Sequence, residues 1–195
     1  MNLMSQFLKG INGLLIKMKT LNICLLMRLT TFIQFIFIVV CFVLQSTVFK
    51  SLAFAGIVPN LLIVLTSAFG FMRGENEGLV IGFFCGLLAD IFYGDILGFY
   101  ALILMYIGFL NGKFNRIFYP EDIKLPLGLI VISDLSYGMI CYILLFMLKG
   151  KFNFPFYFTK VILPELVYTM IVTCVLYPIM LLVNDRLDRR ERRGA

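Results

Sequence analysis

Three carboxylates sit in stretches that are otherwise apolar: Asp90 in GLLADIFYG, Asp134 in VISDLSYG and Glu165 in ILPELVYT. At the centre of a bilayer a carboxylate costs at least ~2.5 kcal/mol, so such a group faces protein or water and by default marks function. No lysine or arginine shares those apolar stretches. The acids must therefore be protonated, hydrated, or hydrogen-bonded to neutral neighbours such as Ser133, Ser136, Tyr137 or Tyr168. Gln45, Ser46 and Thr47 add a polar end to the first apolar stretch. The chemistry open to this set is proton or ion carriage, ligand contact, or the gripping of other helices. A plainer reading stands beside it, in which Asp90 caps a turn together with Asp95 and Glu165 occupies the break at Pro164.

Other chemistries find no residues to carry them. The sequence contains no histidine, the commonest general base and metal ligand. Its cysteines, Cys24, Cys41, Cys85, Cys141 and Cys174, are scattered singly with no C-x-x-C pair, and read as small buried residues. There is no glycine-rich phosphate loop, nucleophile elbow or paired-carboxylate motif. The expectation is a protein that is not an enzyme, with no catalytic residue, cofactor or metal.

The elements that position the acids follow from composition. Hydrophobic residues make up 61% of the chain and charged residues 14%, against about 25% charged in globular proteins. Apolar runs long enough to cross a bilayer mark an all-α integral membrane protein. The longest other segment is the 28 residues before Leu29, too short for a soluble catalytic or nucleic-acid-binding domain.

Six spans are expected: Leu29 to Phe49, Ile57 to Met72, Gly78 to Tyr93, Ile96 to Gly112, Leu125 to Leu148, and Thr159 to Val183. Residues 78–112 could be read as one helix, but at ~1.5 Å per residue it would be ~52 Å long against a hydrocarbon core of ~30 Å. The helix must break, and Tyr93-Gly94-Asp95 is the place, with Gly98 completing the candidate turn. The result is a tight hairpin of two short spans.

Basic residues set the orientation. With the N-terminus inside, thirteen lysines and arginines fall in cytoplasmic segments, and Lys50, Lys149, Lys151 and Lys160 fall outside. Both termini are thus expected in the cytoplasm, and the net charge of +6 needs no nucleic-acid partner. The organisation reads as a cytoplasmic segment 1–28, a transmembrane domain 29–184 and a basic cytoplasmic tail 185–195.

In segment 1–28, Leu3, Met4, Phe7, Leu8, Ile11, Leu14, Leu15 and Met18 form an amphipathic stripe suited to a helix lying on the inner leaflet. Translation starting at Met18 or Met27 stands as the alternative to Met1. Ala53-Phe54-Ala55 has the form of a signal-peptide cleavage site, but the apolar run before it is longer than the usual ~7 to 15 residues, which favours retention as a span.

Gly78, Gly82 and Gly86 recur at every fourth position and lead to Asp90. Residues four apart on a helix advance ~40°, so they line one slowly turning groove. In lipid, where no hydrophobic force draws helices together, small residues let backbones approach closely. The groove is a docking seam, its occupant either another span of this chain or a helix of another protein. The latter is the expectation carried forward.

The stretch VPNLLIVLTSAFGFMRGENEGLVIGFFCGLLADIFYGDILGFYALILMYIGFLNGK resembles the signature core of MreD, the bacterial rod shape-determining membrane protein family. The likeness rests on Pro59-Asn60-Leu61 opening a span, a polar turn, the Gly82 and Gly86 spacing ending in Asp90, and Leu97-Gly98 opening the next span. It implies a non-enzymatic subunit of the cell-elongation machinery in the bacterial plasma membrane, involved in cell shape and peptidoglycan synthesis. Its implied partners are MreC, the actin-like MreB filament, RodA and a class B penicillin-binding protein. The family supplies no catalytic residues to carry over.

A second reading is the small-molecule (vitamin) binding subunit of an energy-coupling-factor type transporter, a six-helix architecture that the resemblance also implies. The first span, TFIQFIFIVVCFVLQSTVF, lacks the alanine-x-x-x-alanine motif of those subunits. Gln45, Asp90 and Glu165 could still line an outward-facing cavity. An ion- or proton-coupled carrier built on Asp134 is a third reading, weakened by the lack of a basic partner or second acid at its depth.

Overall fold

The computed structural model describes residues 30–51, 57–94, 96–117, 123–147 and 154–194. Segment 1–28, Leu29, Cys24, the Ala53-Phe54-Ala55 site and Asp95 lie outside the described residues. Six helical stretches follow one another, with no strand among the described residues: α1 (Thr30–Phe49), α2 (Leu61–Arg73), α3 (Glu75–Tyr93), α4 (Phe99–Lys113), α5 (Lys124–Leu144) and α6 (Phe154–Arg189).

Four of these, α1, α3, α5 and α6, are long and apolar enough to cross a membrane. The other two expected spans are shorter, at 13 residues for α2 and 15 for α4. Pro59 explains part of the difference at α2. The residue before a proline is held in extended backbone, so the chain enters as a non-helical segment and the helix waits until Leu61, behind Asn60 as its N-cap. The residues expected as a separate basic tail continue the helix of α6, which is regular from Leu163 and runs on past Arg189 to Gly194.

Residues 37–181 form one compact unit, and residues 30–36 with 182–194 belong to another. In the smaller unit Asn184 Nδ2 donates to Asp188 Oδ2 at 3.3 Å. The larger unit is organised around α2. Every residue from Leu61 to Met72 is buried, and α3, α4 and α5 all pack against this helix. A helix apolar on every side belongs inside a bundle. Phe69 meets the ring of Phe37 edge-on, with centroids 6.1 Å apart.

Burying a short helix also buries its ends, whose orphan amides and carbonyls need partners. Other parts of the chain supply them. At the start of α2, Asn60 Oδ1 accepts from Ile63 N and Gln45 Oε1, from α1, accepts from Leu62 N, both at 3.3 Å. At its end, Asn115 Nδ2 donates to Phe71 O at 2.8 Å and to Met72 O at 2.7 Å. Gly74, at φ 101, turns the chain into α3, and Arg73 pairs with Glu77 at 3.3 Å across that turn.

Candidate functional site

The glycine seam has an occupant. α3 and α4 lie against each other along their length, and a methyl group at Gly78 would collide with Gly108 O, at Gly82 with Leu104 O, and at Gly86 with Ala101 Cα and Tyr100 O. The expectation that the seam receives a partner's helix is therefore corrected, because α4 of the same chain fills it. The complementary small residues on α4 are Ala101, Gly108 and Gly112. α2 joins at Gly70, where an added methyl group would lie 2.6 Å from Gly108 O. Sequence reading passed over Gly108 and Gly112, although GFLNG carries the same four-residue spacing as the seam itself.

Asp90 sits at the end of this seam and is 2% exposed. Its carboxylate accepts hydrogen bonds from Gly98 N (3.0 Å), Tyr100 N (2.8 Å) and Ala101 N (3.0 Å). The first turn of α4 offers amides with no helical partner, and a negative group there also meets the positive end of the helix dipole. An acid from the last turn of α3 thus satisfies the first amides of α4. Gly94 follows Tyr93 as the C-cap of α3, and Gly98, at φ 97, adopts the left-handed conformation that leads into α4.

Gln45 and Glu165, 120 residues apart in sequence, come together at one cavity. Its volume is about 490 Å³, and its wall includes Lys50, Asn60, Tyr93, Tyr100 and Tyr137. It opens where α1 and α3 end and α2 and α4 begin. Asp90 does not line it, because its carboxylate turns toward the α4 amides. Glu165 lies within electrostatic reach of the Asn60 side chain and of Asp134. Among the described residues no lysine or arginine forms an ion pair with Glu165. Tyr100 and Tyr137 stand with ring centroids 6.1 Å apart on one wall.

Asp134 is 5% exposed and lies near the Thr169 side chain of α6. The Thr169 hydroxyl oxygen accepts from Asn60 N at 3.1 Å, so Thr169 links the start of α2 to α6. One residue away, Ser133 Oγ accepts from Asn111 Nδ2 at 2.7 Å, tying α5 to α4. Among the described residues no three histidine, cysteine or acidic side chains gather as metal ligands, and Cys41, Cys85, Cys141 and Cys174 are unpaired thiols. The acids expected inside the membrane thus divide. Asp90 holds a hairpin, Asp134 is buried beside Thr169, and Glu165 faces a cavity.

The family model described as rod shape-determining protein MreD matches residues 26–185. No curated protein and no solved structure matches the chain.

Proposed function

We propose that this chain, which belongs to the MreD family of rod shape-determining membrane proteins, is a non-enzymatic, multi-pass subunit of the bacterial cell-elongation complex. In this reading it crosses the plasma membrane six times, with α2 and α4 as short crossings inside the bundle and both termini in the cytoplasm. The excess of Lys and Arg in the segments assigned to that side supports the orientation. The protein acts as a scaffold beside MreC, and through it with MreB, RodA and a class B penicillin-binding protein in peptidoglycan synthesis.

The observation that carries this reading is the family match across most of the chain. The packing of the bundle adds a condition on how a scaffold of this kind works. With the glycine seam satisfied within the chain, partner helices dock on the faces left outside. α6, for example, exposes Val175 and Ile179 four residues apart on one face. The test is recovery of MreC with the tagged chain after extraction from its own host in a mild detergent. Retention of MreC supports the scaffold; its consistent absence, with the chain folded and inserted, overturns it.

A further inference from the structure

The cavity and its surroundings have a use beyond bundle assembly. Glu165 is a carboxylate without an ion-pair partner among the described residues, and it shares the cavity with three tyrosines. Aromatic faces and a carboxylate together form a receptor for an ammonium group. Lys50 lies on the same wall and is solvent-exposed, which places a cation at the rim, where it suits a phosphate. The site is thus dipolar, and its volume falls in the usual range for small-ligand pockets.

A second hollow adjoins the first. A mostly apolar groove of about 830 Å³ is lined by Ile57 and by Leu163, Pro164, Val167 and Ile171 of α6, with Thr159 and Lys160 as polar members. Ile57 precedes the cavity-lining Val58, and Pro164 precedes the cavity-lining Glu165. The same two pieces of chain therefore form a wall of each hollow, one polar and one apolar. Lys50, exposed just past the end of α1, gives the cavity a charged group of the kind that sits at a membrane–water interface.

We propose that this end of the bundle binds a zwitterionic phospholipid, with the headgroup ammonium beside Glu165 among the tyrosines, the phosphate at Lys50, and an acyl chain along the groove between Ile57 and α6. The shared chemistry is an ammonium–phosphate zwitterion, and the groove assigns it to a lipid over a free metabolite. The site is defined by this chain alone and stands whether or not the elongation complex forms.

The test uses the full-length protein in detergent and measures retention by native mass spectrometry and by lipid titration. The probes are dioleoyl phosphatidylethanolamine, dioleoyl phosphatidylglycerol and free phosphoethanolamine. Phosphatidylethanolamine should bind at least about ten-fold more tightly than phosphatidylglycerol, a gap of roughly 1.4 kcal/mol. E165Q should bring the two lipids to equal affinity. K50E, at an exposed position that does not support the fold, should weaken both. Equal binding of the two lipids by the wild-type protein would overturn the proposal, and that comparison needs no variant to fold. Displacement of the lipid by free phosphoethanolamine at equal concentration would overturn the lipid assignment in favour of a soluble zwitterion.

Discussion

The carboxylate of Asp90, in the last turn of α3, accepts a hydrogen bond from Ala101 N in the first turn of α4 at 3.0 Å. Together with the contacts to Gly98 N and Tyr100 N, this bond joins the two helices where the glycine seam ends. Loss of a single capping acceptor costs about 0.5–2 kcal/mol. Asp90→Ala, which strands three amides in a buried site, should therefore lower stability by roughly 2–4 kcal/mol. Asp90→Asn keeps one acceptor oxygen and should lose less than half as much. Thermal unfolding of the purified variants in one detergent checks the order, and equal losses from both would contradict the capping role.

Along the seam the contact is backbone to backbone, so even a methyl group is too large. Gly82→Ala should cost roughly 1–3 kcal/mol by overpacking, and Gly86→Leu considerably more. Gly128, in α5, provides the control, because a methyl group added there would have nothing within 4 Å. Gly128→Ala should leave stability unchanged. The readout is the fraction of each variant that survives heating in folded form, and a Gly82→Ala protein as stable as wild type would show that α3 and α4 are not in close contact.

Asn115 closes the far end of α2 through Phe71 O and Met72 O. Asn115→Leu leaves both carbonyls without that donor and should cost about 1–3 kcal/mol. Protection of the last turn of α2 from hydrogen exchange should fall more than protection of its middle. Uniform loss along α2 would contradict a local cap.

A six-pass arrangement places the Gly74 turn and the turn ending at Gly98 on opposite sides of the membrane. Single cysteines at Glu75 and Leu97, in a background lacking the five natural ones, should be labelled from opposite sides by an impermeant maleimide. Labelling of both from the same side would contradict six passes.

The end of α3 is legible in the sequence because a helix spanning residues 78–112 exceeds the bilayer, and Gly94 supplies the weak point. The seam is legible for the same kind of reason, since four-residue glycine spacing has few other uses in lipid. Its occupant is not legible from the seam alone, because a groove fits a helix of this chain or of another equally well. The answer lay in Gly108 and Gly112, on the element immediately following. The complete burial of α2 is hidden for a physical reason. Lipid and protein interior are both apolar, so a helix such as LLIVLTSAFGFM carries no pattern that tells one from the other. Gln45 and Glu165 stand at opposite ends of the bundle's sequence, and only the fold brings them to one cavity. Asp90 shows the reverse case: its plainer reading, an acid capping the turn after α3, needs only local sequence, and the carboxylate accepts from the amides just past that turn.

The central claim, a role in determining rod shape, is tested most directly by measuring cell width after clean deletion in the bacterium that encodes this chain, with no second copy of the family present. The account predicts that cells widen and round, and that the wild-type gene restores rods. Rods of unchanged width after deletion would contradict it.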